Sequence, residues 1–517
     1  MRTLNSLKNI IIVLLLNFVT IIIGFISQKF FINTLGIEYL GINGLFSNIL
    51  SVLSIVELGL GSAIVYNLYK PLAENDIYSI KILMKLYKKG YYIISGVILI
   101  LGISLIPFLK YIVGEVAIQD NLTMIYIWCL LDVVVSYWLT YKRSILYADQ
   151  KTYIVNIVHI FYIFFMNLVQ IIALIKFQNY VLYLIIKIIF RIMENLIINL
   201  IVDKKYPYIR EKTEGTISNT TKNDIISKIK GLLFHKIGSF VVLGTDNIII
   251  SVFLGVSTVG FYDNYYLIIN KLQSLINQVY NSITASIGNL LIENDKEKSY
   301  KTYKRLLLMN SWIYMYSAAG ILGILEPFIS WWIGSKYLLD FSVLIILVIN
   351  YYIQGLRITS LTFKNADGVF YQDRWMPIVE AISNIILSII FVKIKGLAGV
   401  FLGTIFSTTI LFAYGYYKYV YNKLFERNYS QYIKDYLPYI VAPIIAIYIT
   451  YKVLIIVNIS NLIIQMLVKI IVITVVANGI YFIIFRRTDE FKYYTNLINE
   501  LIKKLFLKCC KKNEDKE

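Results

Sequence analysis

Glu74-Asn75-Asp76 recurs as Glu293-Asn294-Asp295, 219 residues further along a chain of 517 residues. Gly36 and Gly255 keep the same offset, as do Gly41 and Gly260. One matching tripeptide is expected by chance. Several positions aligned without a gap, across a glycine loop, an apolar stretch and a charged turn, indicate a duplicated unit. In an apolar chain, a duplicated multi-helix unit is typical of secondary transporters.

The composition predicts an all-α integral membrane protein. Hydrophobic residues make up 58% of the chain and charged residues 16%, whereas soluble proteins carry about 25% charged residues. The mean hydropathy is +0.68. The apolar residues also form long blocks such as Ile10–Ile26 and Leu462–Phe485, and about 20 apolar residues span a bilayer.

Fourteen segments are long and apolar enough to predict fourteen transmembrane helices. They are residues 9–31, 42–68, 91–113, 121–141, 153–175, 180–202, 233–254, 261–285, 306–327, 340–362, 376–393, 397–420, 437–457 and 460–485. An even number of spans places both termini on the same side of the membrane.

The distribution of lysine and arginine predicts which side that is. Most of the 50 basic residues lie at the N-terminus, in the loops after even-numbered spans, and in the C-terminal tail. The opposite loops and their adjoining span ends hold only seven, namely Lys29, Lys110, Lys176, Lys336, Lys393, Lys395 and Lys452. Cytoplasmic loops carry the excess of positive charge, so we expect both termini in the cytoplasm. The net charge of +19 then reflects this asymmetry and attraction to anionic lipids, and binding of nucleic acid is not expected.

The offset between the two copies of the repeat predicts two parallel six-helix bundles around a central cavity, followed by two further helices. The offset covers six spans, so both copies enter the membrane in the same direction. The predicted organisation is an N-terminal bundle (1–203), a cytoplasmic linker (204–231), a second bundle (232–420), helices thirteen and fourteen (437–485) and a basic cytoplasmic tail (486–517).

Basic side chains inside the predicted spans mark a candidate substrate site. Each ionisable group in a span costs at least about 2.5 kcal/mol, so it faces a cavity or a partner. Lys187 and Arg191 lie one turn apart in span six, and Lys271 and Arg357 lie in spans eight and ten. A lysine near a helix end usually extends to the membrane surface, which is the first interpretation for Lys187 taken alone.

For Arg191, Lys271 and Arg357, lining of a cavity is favoured over a structural ion pair such as Arg191 with Glu194. Their shared positive charge predicts an anionic cargo, because arginine and lysine bind phosphate and pyrophosphate well.

Acidic and polar residues accompany these cations. Glu57, Asp132, Glu194 and Asp246 are either counter-charges or sites for a coupling proton or sodium ion, and the sequence leaves both interpretations open. Further candidates for the polar lining are His235, Gln278 and Gln354. His159 is interpreted as a packed histidine in preference to a proton relay.

Catalytic signatures are absent from the sequence. It contains no Walker A motif, no Gly-x-Ser-x-Gly, no His-Glu-x-x-His and no cysteine and histidine spacing for a metal. We therefore expect a transporter, driven by a proton or sodium gradient, with no enzymatic activity, cofactor or metal. A membrane glycan polymerase or ligase is one rival, although the short outward loops do not favour it. An ion-coupled multidrug antiporter is another, and it would favour an acidic cavity.

Several stretches resemble Wzx-type lipid-linked oligosaccharide flippases of the multidrug/oligosaccharidyl-lipid/polysaccharide exporter superfamily. The similar stretches are Leu35–Asn43 (LGIEYLGIN), Glu57–Ala63 (ELGLGSA), Tyr69–Asp76 (YKPLAEND), Ala148–Tyr153 (ADQKTY), Gly244–Ile248 (GTDNI) and Gly368–Arg374 (GVFYQDR). The resemblance covers nearly the whole chain. Drug/sodium antiporters and peptidoglycan-precursor flippases share the same two-bundle plan.

The resemblance implies transport of undecaprenyl-pyrophosphate-linked oligosaccharide from the inner to the outer leaflet of a bacterial cytoplasmic membrane. The implied mechanism is alternating access, in the assembly of capsule, exopolysaccharide or O-antigen, with a glycan polymerase and other assembly proteins as candidate partners. It also implies fourteen helices, cytoplasmic termini and a cationic central cavity. No family motif identifies Lys187, Arg191, Lys271 or Arg357 individually.

Overall fold

The computed structural model describes residues 2–57, 60–116, 118–211, 244–293, 295–369 and 372–514. Within these ranges the regular secondary structure is entirely helical, which confirms the all-α prediction. The helices are α1 Arg2–Leu35, α2 Ile37–Leu53, α3 Leu60–Glu74, α4 Ile77–Ser104, α5 Leu109–Val113, α6 Leu122–Tyr137, α7 Arg143–Ala148, α8 Thr152–Phe177, α9 Tyr180–Lys205, α10 Gly244–Leu254, α11 Val256–Ile292, α12 Lys296–Trp332, α13 Phe341–Leu356, α14 Ile358–Ala366, α15 Trp375–Lys395, α16 Leu397–Leu411, α17 Lys423–Phe425, α18 Tyr429–Ile456, α19 Leu462–Phe485 and α20 Asp489–Glu514.

Ten helical segments of the described chain are long and apolar enough to cross a membrane. The described residues of the other four predicted spans also fall on helices, namely the α2–α3 region, α9, α10 (which covers residues 244–254 of span seven) and α11. Charge reduces the apolar character of α9, since Lys187, Arg191 and Glu194 lie in its middle. The chain is therefore a multi-pass helical membrane protein.

The backbone repeats with the offset seen in the sequence. Gly36 separates α1 from α2 with a φ of +97°, and Gly255 separates α10 from α11 with a φ of +87°. Side chains other than glycine rarely adopt this region, so both joints require glycine. The helices that follow begin at Ile37 and Val256, again 219 residues apart.

The duplicated charged turns cap equivalent helices. Asp76 accepts a hydrogen bond from the N–H of Ser79 at the start of α4, and Asp295 accepts one from the N–H of Lys298 at the start of α12. Each carboxylate thereby satisfies an N–H group that the first helical turn leaves unpaired. Both helices continue without interruption from these caps into predicted spans three and nine.

Two predicted spans are broken. Span two was expected to be continuous over 42–68, but α2 ends at Leu53 and a 3₁₀ turn over Ser54–Glu57 precedes α3. The Gly-rich sequence ELGLGSA accounts for the interruption, because glycine weakens a helix interior. Span four breaks at Trp138 and Leu139, where Leu139 has a φ of +66°.

In the second copy α13 ends at Leu356 and α14 begins at Ile358, and Arg357 between them keeps a right-handed helical backbone with φ −70° and ψ −19°. The offset from Trp138 to Arg357 is again 219 residues.

The chain forms two compact units. The first consists of Met1–Asn264 and Pro377–Gly403, and the second of Tyr265–Met376 and Thr404–Glu517. In the first, α8 packs on α1 and α9, and α6 packs on α9. In the second, α12 packs on α13, α18 and α19. The domain boundaries predicted from the sequence, including the 204–231 linker, stay a prediction.

Candidate functional site

Asp132 of α6 holds two cations of α9 in the first unit. Its carboxylate lies 3.0 Å from the Lys187 ammonium and 3.1 Å from Nε of Arg191. A second Arg191 nitrogen lies 3.4 Å from the other carboxylate oxygen. Asp132 is buried, whereas the Lys187 and Arg191 side chains remain 29% and 23% exposed. The two positively charged side chains thus share one carboxylate, and part of each remains accessible.

Glu194, one turn further along α9, has different partners. One of its carboxylate oxygens lies 2.9 Å from Nδ1 of His159 and 3.2 Å from the Arg143 guanidinium. The Glu194 side chain is fully buried, and its second oxygen has no hydrogen-bond partner among the described residues. The expected alternative pairing of Arg191 with Glu194 is not what the structure shows, because Arg191 bonds to Asp132.

The break in span four is what places Arg143. Where the helix stops at Trp138, Asn195 of α9 donates hydrogen bonds to the carbonyls of Val135 and Trp138. The Val135 carbonyl also accepts a hydrogen bond from the N–H of Trp138, so Asn195 adds to the pairing of the helix end. The carbonyl oxygen of the same Asn195 side chain accepts a 2.6 Å hydrogen bond from Arg143, at the start of α7. The break is thereby coupled to the position of the guanidinium.

Tyr162 of α8 joins the two charge clusters. The Arg191 guanidinium lies 5.4 Å from the centre of its ring, and the His159 ring stacks on it at 5.3 Å. We call Asp132, Arg143, His159, Lys187, Arg191 and Glu194 the charged network. It contains three permanent cations and two carboxylates, excluding His159.

A cavity of about 610 Å³ adjoins the charged network in the same unit, and Arg143 belongs to both. We call it the tyrosine cavity. Its lining consists of Glu57, Gly61, Val65, Tyr66, Tyr69, Tyr91, Thr140, Arg143, Ser144 and Tyr147. Glu57 accepts hydrogen bonds from the hydroxyls of Tyr91 at 3.4 Å and Tyr137 at 3.3 Å. The broken ends of spans two and four both contribute to the wall.

The second unit holds an apolar cavity of about 640 Å³. Its walls include Ile345, Ile349 and Leu356 from the α13 side and Ile444 from α18, with Lys452 among the few polar groups. No predicted site residue lines it.

The remaining predicted site residues are not members of the charged network. Arg357 donates a 3.0 Å hydrogen bond to Gln354, which donates one to Thr408, all in the second unit. Lys271 and Gln278 lie on the portion of α11 in that unit, and Lys271 has no ion pair within the described ranges.

Asp246 lies on α10 of the first unit, and one of its carboxylate oxygens is buried without a hydrogen-bond partner among described residues. His235 lies outside the residues that the structure describes.

Sequence reasoning missed Arg143 and the tyrosines. Arg143 directly follows a predicted span, so it was counted only among cytoplasmic charges. His159 was interpreted as packed, and the structure gives it a polar partner in Glu194.

Solved structures with the same architecture are transporters. The lipid II flippase MurJ in an inward closed conformation matches with a TM-score of 0.64 at 18% identity, over 94% of this chain and 99% of that one. The chain has the fold of MOP-superfamily transporters. A MATE multidrug resistance transporter of this superfamily, in an inward-facing conformation, matches with a TM-score of 0.60 at 13% identity, over 80% and 96%.

A Vibrio cholerae MATE transporter with this fold matches with a TM-score of 0.56 at 14% identity, covering 83% of this chain and 99% of that one. No protein-family model matches the chain, and no curated protein sequence matches it. These likenesses show the fold of MOP-superfamily transporters. At such low identities they do not identify the cargo.

Proposed function

We propose that the protein is a flippase that moves undecaprenyl-pyrophosphate-linked oligosaccharide from the inner to the outer leaflet of a bacterial cytoplasmic membrane. The observation that carries this proposal is the charged network, in which Lys187 and Arg191 share Asp132 and stay partly exposed. The fold of a lipid II flippase gives independent support for a lipid-linked cargo.

The charge balance favours an anionic cargo. Lys187 and Arg191 share the single carboxylate of Asp132, so this group of three side chains carries one surplus positive charge within its spans. Ionisable groups at this depth are costly unless they serve a ligand or a partner. A pyrophosphate arriving at Lys187 and Arg191 would complete their coordination, and arginine suits phosphate geometry particularly well.

The proposal includes a transport cycle. Alternating access would take the cargo up from the cytoplasmic side and release it outside, driven by a proton or sodium gradient. Glu194 and Asp246 are candidate coupling groups, because each has a buried carboxylate oxygen without a hydrogen-bond partner in the described chain. On this proposal both termini are cytoplasmic, and a glycan polymerase is the expected downstream partner.

Reconstitution tests the proposal directly. Purified protein is placed in liposomes that contain the polyprenyl-linked oligosaccharide extracted from a host lacking this chain, and exposure of the glycan is followed with a membrane-impermeant glycosidase. We expect wild-type protein to expose the inner-leaflet pool. Arg191→Ala combined with Lys187→Ala should abolish that activity, whereas Lys110→Ala combined with Lys176→Ala should retain it.

A multidrug antiporter is the second candidate, supported by the fold shared with MATE transporters. The same liposomes, loaded with a cationic dye and given a proton or sodium gradient, distinguish the two functions. Dye extrusion without glycan exposure would establish the antiporter and exclude the flippase.

A further inference from the structure

We propose that the tyrosine cavity is a saccharide-binding subsite, separate from the pyrophosphate contacts at Lys187 and Arg191. This inference rests on the proposed function. It assigns the sugar part of the same cargo to the tyrosine cavity. It concerns the wall formed by Tyr66, Tyr69, Glu57 and Arg143.

The size and lining of the cavity fit a sugar. Its volume of about 610 Å³ lies within the range of small-molecule sites, which are typically about 300–1,000 Å³. Tyr66 and Tyr69 are 60% and 49% exposed, and their rings stand nearly perpendicular at 6.4 Å. An exposed aromatic ring offers an apolar face together with a hydroxyl, and a sugar likewise presents C–H faces and hydroxyl groups.

The polar groups of the wall supply both donors and acceptors. Glu57 provides an acceptor, Arg143 provides donors, and the hydroxyls of Thr140 and Ser144 provide both. Nε of Arg143 is buried without a hydrogen-bond partner among the described residues. Sugar hydroxyls also donate and accept, so this mixed set suits them.

The charge of the cavity differs from that of a pyrophosphate site. Arg143 is already bonded to Glu194, and Glu57 adds a carboxylate to the cavity wall. A second anion would be repelled by Glu57, whereas a neutral, hydroxyl-rich group would be accepted. The pyrophosphate is therefore assigned to Lys187 and Arg191, and the sugar rings to the tyrosine cavity.

Arg143 links the tyrosine cavity to the charged network within one unit. The guanidinium bonds to Glu194 of α9 and lines the tyrosine cavity. A lipid-linked saccharide has the same order, because its pyrophosphate adjoins its first sugar.

Binding measurements with and without the sugar test this assignment. The probes are the polyprenyl-linked oligosaccharide extracted from a host lacking this chain, and undecaprenyl pyrophosphate alone, each titrated into detergent-purified full-length protein by calorimetry. Tyr69→Ala and Glu57→Gln should each raise the Kd for the oligosaccharide-bearing lipid about tenfold, as expected when sugar contacts are lost. Their Kd for undecaprenyl pyrophosphate should stay unchanged.

Tyr111→Ala is the matched control, since Tyr111 is 80% exposed and lies outside the cavity. Thermal unfolding of every variant confirms that the fold is intact. The subsite would be overturned if the two variants bound both probes equally more weakly, or if they bound neither more weakly. It would also be overturned if the wild-type protein did not prefer the sugar-bearing lipid. Sugar-dependent binding without glycan exposure in liposomes would instead overturn the proposed transport and leave the subsite standing.

Discussion

Gly41 packs against Gly260, its own equivalent in the second copy of the repeat. A methyl group added to Gly41 would overlap the carbonyl of Val256, and one added to Gly260 would overlap the carbonyl of Ile37. Ile37 and Val256 are themselves equivalent positions. The contact is therefore reciprocal, as expected where two like elements meet about a twofold axis.

Gly41→Ala should destabilise the protein, because the α2 and α11 backbones are too close to admit a methyl group. Overpacking of this kind costs about 1–3 kcal/mol. Thermal unfolding in detergent, followed by size-exclusion chromatography, measures the loss. Gly24→Ala is the control, since Gly24 of α1 has open space around its Cβ position. Equal stability of the two variants would contradict the close approach.

Asp132→Asn should cost more stability than Lys187→Met. The first change leaves Lys187 and Arg191 without their shared carboxylate, and breaking a buried pair costs about 3 kcal/mol or more. The second retains the bond between Arg191 and Asp132. Chemical unfolding of both variants, and of the double variant, gives the coupling energy. Identical losses would show that Asp132 does not hold the two cations.

Lys271→Met should leave the fold intact and reduce transport. Lys271 is half-buried and has no ion pair within the described ranges, so removing its charge breaks no bond seen in the structure. A cation without a partner is suited to an anionic cargo. Glycan exposure in liposomes and thermal unfolding are measured together, with Lys29→Met as the exposed control. Full activity of Lys271→Met would remove Lys271 from the candidate site.

The cap at Asp76 should weaken in acid. Hydrogen bonds from Ser79, first from its side chain and then from its backbone, lower the pKa of Asp76 below the ordinary aspartate value. The charged cap therefore stabilises the helix at any pH above the ordinary aspartate pKa. This stabilisation is lost as the pH falls through the lowered pKa of Asp76.

Hydrogen exchange of the first turn of α4, compared between neutral and acidic pH, reports the change. Exchange rates are normalised to Asp76→Asn, whose uncharged cap should show no such dependence. If the wild-type protein and Asp76→Asn were equally sensitive to acid, the effect would not come from titration of Asp76.

Local signals in the sequence predicted much of the fold. The spacing of the two Glu-Asn-Asp turns indicated a duplicated unit, and in the structure Asp76 and Asp295 cap equivalent helices. The break near Glu57 escaped prediction, because the glycines there lie within an apolar stretch whose hydropathy remains that of a span. Glycine is frequent in membrane helices, so it does not by itself indicate an interruption.

The candidate site was predictable only in part. Spacing placed Lys187 and Arg191 one turn apart in span six, and both lie on α9. It did not predict that both bond to Asp132 while Glu194 bonds to Arg143, because Asp132 and Arg143 come from other helices. Pairing between helices depends on their packing and rotation, which the period of a single helix does not specify.

The two copies of the repeat have diverged unequally. α9 carries three charged residues in its middle, whereas α16, which holds the sixth place in the second copy, contains no charged residue over Leu397–Leu411. The joints at Gly36 and Gly255 have meanwhile kept their glycine. The duplication thus left the two glycine joints alike in backbone conformation, while the sixth helices of the two copies differ in whether they carry charge.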